Sequence, residues 1–138
     1  MYPWVRLDHD NKYFYAAALD RRYLVNRCGT CGRWHTPPQP MCPDCWSWEV
    51  TPTEISGRGV LHLMTFLHQG PASAGVAYDP PFALGTIELD EQAGLRVSAP
   101  LANVSCGTRL GARMQLTWMD VRGHPFPAFT QAEPEELA

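Results

Sequence analysis

The sequence predicts a mainly β fold, in which an N-terminal helix and a metal-binding knuckle precede a small closed barrel. Three observations lead to this prediction. Four of the five cysteines form two C-x-x-C pairs, apolar runs of β-forming residues recur after residue 57, and glycine-containing turns separate those runs. With 138 residues, 45% of them hydrophobic, the chain can build one modest core that a bound metal would reinforce.

The first predicted element is a helix from Lys12 to about Leu24, with Asp10 or Asn11 as its cap. Aromatic and alanine side chains make this helix loosely amphipathic ahead of the polar residues 20–22. A helix of this composition can pack on its own barrel or dock against another subunit, and the sequence leaves both alternatives open.

The second element is a segment of unusual composition between residues 25 and 50. It combines the paired cysteines with a density of prolines that regular helices and central strands do not tolerate; these are Pro37, Pro38, Pro40 and Pro43. We therefore expect a module of knuckles and loops that is held by a metal rather than by a hydrophobic core.

Two C-x-x-C knuckles present four converging thiolates, which is the ligand set of a tetrahedral structural zinc. The predicted ligands of one zinc ion are Cys28, Cys31, Cys42 and Cys45. Sulfur-only coordination leaves no open position, so the expected role is structural. Iron in a rubredoxin-like site is the alternative, because four thiolates also hold a single redox-active iron, and colour distinguishes the two metals. His35, between the pairs, is interpreted as a loop residue.

The rest of the chain is predicted to form about five strands, of which four have clear patterns: residues 60–68, 82–89, 95–99 and 111–121. Residues 90–94 have the composition of a hairpin turn that ends on a glycine with positive φ, and residues 69–75 are expected to form a flexible loop. Gly57-Arg58-Gly59 is interpreted as a sharp entry into the first of these strands. A closed barrel removes exposed strand edges, which favours a five-stranded OB-fold.

These elements divide the chain into four parts. We expect an N-terminal helical segment over residues 1–25, a zinc ribbon over 26–52, a barrel over 53–130 and a flexible acidic tail over 131–138.

Charge and composition exclude several classes of function. The net charge is −3 and Lys12 is the sole lysine, which argues against a nucleic-acid-binding surface. The sequence opens without a signal-peptide pattern and has no apolar run of bilayer length, so no membrane association is expected. Cysteines arranged as metal ligands are typical of a reducing compartment, and we expect a cytoplasmic protein.

No catalytic residue is predicted. Cys106 and the histidines His62, His68 and His124 could serve as nucleophile and base, but no local motif links them, and Cys106 is interpreted as an inert thiol. His62 and His68 are expected on the same face of an extended strand without a third ligand. The acidic residues at one hairpin end, Glu88, Asp90 and Glu91, are interpreted as solvated charges.

Four short elements now form a recognisable series after the helix: R-C-G-T-C-G-R-W at residues 27–34, C-P-D-C at 42–45, S-G-R-G at 56–59 and E-L-D-E at 88–91. This series resembles the acyl-CoA-associated OB-fold family with an N-terminal rubredoxin-like zinc ribbon, over residues 13–129. The resemblance implies a small, non-catalytic subunit that stabilises a thiolase-like partner, in a heterotetramer, and shapes the site of the acyl-CoA substrate.

In that family the chemistry resides in the partner, and the resemblance implies most closely a lipid-transfer-protein-like retro-aldolase of steroid side-chain degradation. Companions of an enoyl-CoA hydratase or of an acetyl-CoA acetyltransferase are alternatives. The residues expected to contact the partner or CoA are Tyr13, Phe14, Arg33, Trp34, Trp46 and Arg58. Trp46 departs from the family pattern, which has glycine after the second knuckle.

Two interpretations of a different class stay open beside the resemblance. Zinc ribbons and OB-folds also bind single-stranded nucleic acid, although the dispersed arginines weigh against this function here. A rubredoxin-like electron carrier would be red and would show a reversible one-electron couple.

Overall fold

The computed structural model describes residues 6–36, 38–70, 78, 81–104 and 107–132. Within these residues the chain is mainly β, with one short helix and eight strands. In chain order these are α1 (Lys12–Leu19), β1 (Leu24–Cys28), β2 (Trp34–His35), β3 (Val50–Glu54), β4 (Arg58–Leu67), β5 (Phe82–Leu89), β6 (Arg96–Ala102), β7 (Arg113–Val121) and β8 (His124–Gln131). No helix in the described ranges has the length and hydropathy needed to cross a membrane.

Helix α1 begins after Asn11, as predicted, but the expected side-chain cap is absent. Instead, the Oδ1 atom of Asp8 accepts hydrogen bonds from the backbone N–H groups of Asp10 and Asn11, at 2.9 and 2.8 Å. The turn before the helix is therefore stabilised by Asp8, and the helix start follows from that turn.

The predicted end of the helix near Leu24 is wrong, because α1 stops at Leu19. Arg21 adopts a left-handed conformation with φ of 57°, and the N–H of Arg22 donates to the carbonyl of Ala17 at 2.9 Å, which closes the last turn. Leu24 then starts β1. The helix packs against β1 and β8 of its own chain and buries Ala17 and Ala18 in that contact.

The ribbon contains a sheet, which corrects the expectation of knuckles and loops alone. Strands β2, β1 and β3 form an antiparallel sheet with β1 in the centre. The run of prolines lies between β2 and β3, where it interrupts neither strand. Val25 and Trp34 are buried in the main hydrophobic cluster, so the ribbon also contributes to an apolar core.

The second sheet is the closed barrel that was predicted, with strand order β4-β5-β6-β8-β7. The four strands with clear patterns are confirmed, and the turn before β6 ends at Gly94 with φ of 82°. A register shift between Leu61 and Leu63 bends β4. Gly59 lies directly against the backbone of Glu88, where a Cβ atom would overlap, and this explains the glycine-rich entry to the barrel.

Strand β8 completes the barrel and was not assigned from the sequence, because Pro125 and Pro127 interrupt its pattern. The strand pairs with β7 along its whole length, whereas it pairs with β6 only from Phe129 onward. The first part of β8, which contains both prolines, therefore pairs with β7 alone. The N–H groups that proline lacks are not needed for hydrogen bonds to β6. Gln131, predicted as the start of the tail, is the last residue of this strand.

The hairpin between β5 and β6 joins the barrel to the ribbon, which corrects its interpretation as a set of solvated charges. Gln92 forms two hydrogen bonds to the backbone of Trp34, each of 3.0 Å, one to the N–H and one to the carbonyl. Glu91 accepts the N–H of Ser56 at 2.7 Å. We call the two hydrogen bonds between Gln92 and Trp34 the ribbon–barrel joint.

The other acidic residues of this hairpin are also paired. Asp90 forms a two-pronged ion pair with Arg113, in which one oxygen lies 3.0 Å from a guanidinium nitrogen. Glu88 accepts from Arg96 at 3.1 Å across the β5–β6 ladder. The Arg113 guanidinium lowers the pKa of Asp90 below its ordinary value by hydrogen bonding to the carboxylate.

Candidate metal centre

The four predicted cysteine ligands converge on one point. Their sulfur atoms all lie within 4.8 Å of one another, with 3.5 Å between Cys28 and Cys45 and 3.6 Å between Cys31 and Cys42. Tetrahedral zinc with Zn–S bonds of about 2.3 Å requires sulfur atoms roughly 3.8 Å apart. The sulfur spacing therefore fits a tetrahedral metal ion, and four thiolates fill its coordination sphere.

The first knuckle follows directly from the end of β1. The N–H groups of Thr30 and Cys31 both point at the sulfur of Cys28, at 3.4 Å, and the N–H of Gly32 donates to the carbonyl of Cys28 at 3.0 Å. The turn closes with Gly32 at φ of 79°, a conformation that glycine adopts without strain.

The second knuckle repeats this turn with a different residue at the last position. The N–H of Trp46 donates to the carbonyl of Cys42 at 2.9 Å, as Gly32 does in the first knuckle. Trp46 has φ of 64°, and its side chain is 72% exposed. A hydrogen bond of 2.8 Å between the hydroxyl groups of Thr30 and Ser47 ties the two knuckles together.

The four thiols differ in how readily they lose their protons. Hydrogen bonds from backbone N–H groups, the largest from Cys31, lower the pKa of Cys28 to about 6, and the N–H of Cys45 lowers the pKa of Cys42. The N–H of Ser47 acts in the same direction on Cys45, yet burial and the three neighbouring thiols raise its pKa to about 12. Four thiolates so close together repel one another, and a divalent metal ion removes this repulsion.

The cluster fits a structural metal site. Cys28 and Cys42 are buried and form its inner side, while Cys31 and Cys45 are exposed at the surface. The complete sulfur ligand set, the spacing and the hydrogen bonds to sulfur are those of a zinc ribbon, which supports a structural zinc.

The residues expected to contact a partner differ in their accessibility. Tyr13 is 51% exposed and Arg58 is also exposed, whereas Phe14 packs edge-on against Tyr23 with ring centroids 5.2 Å apart. Arg33 forms an ion pair of 2.8 Å with Asp44 beside the metal site.

Trp34 is buried within the chain itself, where the Arg27 guanidinium lies 5.0 Å from the centre of its ring. This cation–π contact and the two hydrogen bonds between Gln92 and the Trp34 backbone give Trp34, the last residue of the 27–34 motif, a role inside the chain.

The residues considered for catalysis do not form a group in the described part of the chain. Cys106 lies outside the described residues. His62 is in β4 next to the register shift and His68 follows the end of that strand, so they do not share the regular alternation that was expected. His124 begins β8 and contacts the carbonyl of Arg122 through Nδ1 at 3.0 Å. Within the described residues, the four cysteines are the one cluster of three or more metal-ligating side chains.

The interpretation of His35 as a loop residue is wrong, and its burial was not predicted from the sequence. His35 lies in β2, not in a loop, and is only 7% exposed. Neither ring nitrogen has a hydrogen-bond partner within the described residues. Burial, followed by the positive charge of Arg33, lowers the pKa of its imidazole. No sequence signal distinguishes such a buried histidine from an exposed one.

Comparisons with known proteins agree with this architecture. Residues 16–50 match the ChsH2 rubredoxin-like zinc ribbon domain, and residues 52–119 match the ChsH2 C-terminal OB-fold domain. A chain of the solved structure described as "Ltp2-ChsH2(DUF35) aldolase" is 27% identical, with a TM-score of 0.81, and the match covers 94% of this chain and 99% of that one.

Two further matches are more distant or partial. A protein of Thermomonospora curvata described as "Probable enoyl-CoA hydratase alpha subunit" is 28% identical over 136 residues, which is 97% of this chain. This chain spans only 41% of the length of that relative. A crystal structure of a Sulfolobus solfataricus protein from the DUF35 family, described as of unknown function, has 14% identity and a TM-score of 0.58 over 88% of this chain and 84% of that one, which shows the shared fold.

Proposed function

The chain carries both ChsH2 domains, the zinc ribbon and the OB-fold, and belongs to that family; from this premise we propose that it is a non-catalytic accessory subunit of an acyl-CoA enzyme. One observation carries the proposal. The chain matches a chain of a solved Ltp2-ChsH2 aldolase with a TM-score of 0.81, over 94% of this chain and 99% of that one, which supports the role of a subunit in such a complex.

The proposed partner is a thiolase-like, lipid-transfer-protein-like enzyme, and the proposed reaction of the complex is a retro-aldol cleavage in steroid side-chain degradation. In this arrangement the partner supplies the reactive groups and the acyl-CoA thioester is its substrate. The small subunit stabilises the partner in a heterotetramer and shapes the entrance for CoA. The closed sulfur site supports this division of roles, because a metal with four thiolate ligands has no position for a substrate.

Two exposed aromatic side chains are the proposed anchors for the partner. Tyr13 on α1 and Trp46 on the second knuckle expose 51% and 72% of their surface, and aromatic residues of this kind dominate the binding energy of many protein interfaces. Arg58 and Arg33 are the proposed contacts to a CoA phosphate. We place the complex in the cytoplasm, where the thiolates stay reduced.

A second candidate function is that of companion to an enoyl-CoA hydratase. The observation that favours it is the match to the Thermomonospora curvata hydratase subunit, which is more than twice as long as the part that this chain covers. Both candidates share the accessory role and differ in the partner.

The test is co-purification followed by assays of the isolated complex. The tagged chain, in the cells that naturally produce it, should capture a thiolase-like protein, and the captured complex should release a ketone and a shortened acyl-CoA from a β-hydroxyacyl-CoA with a steroid side chain. The isolated chain at the same concentration serves as the control and should show no turnover. Capture of a hydratase that only hydrates an enoyl-CoA would select the second candidate. Turnover of a thioester by the isolated chain would overturn both.

A further inference from the structure

The four metal-binding sulfur atoms differ in their access to solvent. Cys28 and Cys42 are 1% and 0% exposed, whereas Cys31 and Cys45 are exposed at the surface. Each C-x-x-C knuckle therefore contributes one buried and one exposed cysteine. A thiolate keeps its nucleophilic character when it binds zinc, so a small oxidant in solution reaches the exposed cysteine of each knuckle first.

Two short contacts between sulfur atoms join the two knuckles. Cys45 lies 3.5 Å from Cys28, and Cys31 lies 3.6 Å from Cys42. Each contact pairs the exposed cysteine of one knuckle with the buried cysteine of the other. A disulfide bond brings its sulfur atoms to about 2.0 Å, so each pair needs an approach of only roughly 1.5 Å.

A hydrogen bond beside the cysteines holds the knuckles in this arrangement. The hydroxyl groups of Thr30 and Ser47 lie 2.8 Å apart, and Thr30 stands between the two cysteines of the first knuckle. The knuckles are therefore linked by protein groups as well as by the metal ligands. This link favours sulfur–sulfur bonds between the knuckles over bonds within each of them.

We propose that the metal centre is a peroxide-sensitive switch, in which disulfide bonds form between the knuckles, Cys31 with Cys42 and Cys28 with Cys45, and the zinc ion is released. The inference concerns this chain alone and does not rest on the proposed partner. Failure of the partner assay would leave it standing.

The chemistry has two steps. In the first, the exposed thiolate attacks hydrogen peroxide; an S–O bond forms, the O–O bond breaks, and the sulfur becomes a sulfenic acid while hydroxide leaves. In the second, the buried thiolate of the other knuckle attacks this sulfur, the S–S bond forms, and the S–O bond breaks to give a second hydroxide. The sulfur pair loses two electrons to the peroxide, and two protons convert the hydroxides to water. A site with two of its thiolates consumed no longer holds zinc.

The first test measures zinc release from the zinc-loaded full chain. Cys106 is replaced by alanine, so that only the four ligands can react. A colour-forming zinc chelator should report one zinc per chain, released at least about tenfold faster with excess hydrogen peroxide than in buffer alone. Dithiothreitol and added zinc should restore the metal centre. Equal rates with and without peroxide would overturn the proposal.

The second test locates the reaction in the unmodified chain by mass spectrometry. Dimedone, which traps sulfenic acids, should label Cys31 or Cys45 before Cys28 or Cys42. Samples alkylated at early times should contain the two disulfides between the knuckles. First labelling of a buried cysteine, or disulfides within each knuckle, would show that the proposed order and pairing are wrong.

The chain also offers a matched pair of variants. Cys45→His and Cys42→His each leave three cysteines and one histidine, a ligand set that also holds structural zinc. With peroxide, Cys45→His should form the disulfide between Cys31 and Cys42, and Cys42→His should form the disulfide between Cys28 and Cys45. A Cys28–Cys31 disulfide in both variants would contradict the proposal. The mass spectra of the unmodified chain decide the pairing if a variant does not hold zinc.

Discussion

Gly32 and Trp46 occupy equivalent positions in the two knuckles, and both adopt positive φ angles. The left-handed conformation costs a residue with a Cβ atom roughly 1–2 kcal/mol, and glycine avoids this cost. The indole of Trp46 is 72% exposed, so burial within the chain does not offset the strain. The strain and exposure of Trp46 are the reasons for its proposed role as an anchor for the partner.

Replacing Trp46 with glycine should leave zinc bound and keep the free energy of unfolding unchanged or raise it by up to about 1 kcal/mol. Relief of the left-handed strain exceeds or matches the added chain entropy of glycine. Trp48→Gly is the matched control, because Trp48 is also 72% exposed and has no positive φ, and it should be neutral or destabilising. Urea denaturation of the zinc-loaded proteins measures the difference. Greater destabilisation by Trp46→Gly than by Trp48→Gly would contradict the strain argument.

His35 is the second residue in an unfavourable environment, because the surrounding groups disfavour the protonated form of its imidazole. Burial, the larger effect, and the charge of Arg33 lower its pKa from the ordinary value of 6.5, so the folded state keeps the imidazole neutral. As the pH falls below about 6.5, the unfolded chain takes up a proton that the folded chain resists. Stability from this residue is therefore present above pH 6.5 and is lost as the pH falls toward the lower pKa of the folded state.

Replacing His35 with leucine should make the free energy of unfolding less dependent on pH between 7.5 and 5.5. At pH 7.5 the variant should be at least as stable as the unmodified chain, since no ring nitrogen is left buried without a partner. Denaturation series at several pH values, with zinc in excess, provide the measurement. An unchanged slope in His35→Leu would show that another group governs this pH range.

Among the elements, the β5–β6 hairpin forms hydrogen bonds that link the barrel to the ribbon. The amide of Gln92 pairs with the N–H and carbonyl of Trp34, much as a neighbouring strand would. Glu91 binds the N–H of Ser56 at the start of the barrel. The motif elements at residues 27–34, 56–59 and 88–91 adjoin the ribbon–barrel joint.

Shortening Gln92 to alanine should lower the free energy of unfolding by about 2 kcal/mol, because two hydrogen bonds are lost and two backbone groups of Trp34 are left unpaired. Gln115→Ala is the control on an exposed strand position and should stay within about 0.5 kcal/mol. Chemical denaturation with intact zinc gives both values. A loss as small as that of the control would mean that the ribbon is held on the barrel by other contacts.

For the whole molecule, the metal site and the barrel are expected to behave as one unit. The main hydrophobic cluster runs without a break from Tyr23, Val25 and Trp34 in and beside the ribbon to Leu61, Ile87 and Phe129 in the barrel. Zinc contributes roughly 10–16 kcal/mol in small zinc domains, which is comparable to the total stability of a typical protein of about 5–15 kcal/mol. Loss of the metal should therefore affect the barrel as well as the ribbon.

Removal of the metal with a chelator should lower the melting temperature of the whole chain and expose Trp34. Circular dichroism of the β-sheets and tryptophan fluorescence should report a single coincident transition in the zinc-loaded protein, and metal analysis should give one zinc per colourless chain. Two separate transitions would show that the ribbon and barrel unfold independently, and a red protein would point to iron.

The features that depend on local chemistry could be predicted from the sequence. The spacing of the cysteines specified four converging thiolates, and the apolar runs specified four strands of the barrel. The glycine at the end of the hairpin turn has the positive φ that its position requires. In each case neighbouring residues in the chain create the structure, so the pattern is visible in the sequence.

The features that join distant residues could not be predicted from the sequence and became visible in the folded chain. Strand β8 carries two prolines and exists because β7 pairs with its whole length. Gln92 and Trp34 are 58 positions apart, and nothing local to either predicts their pairing. The burial of His35 likewise arises where separate strands meet. The free energy of such contacts depends on which residues the fold brings together, and that information is not contained in any single stretch of the chain.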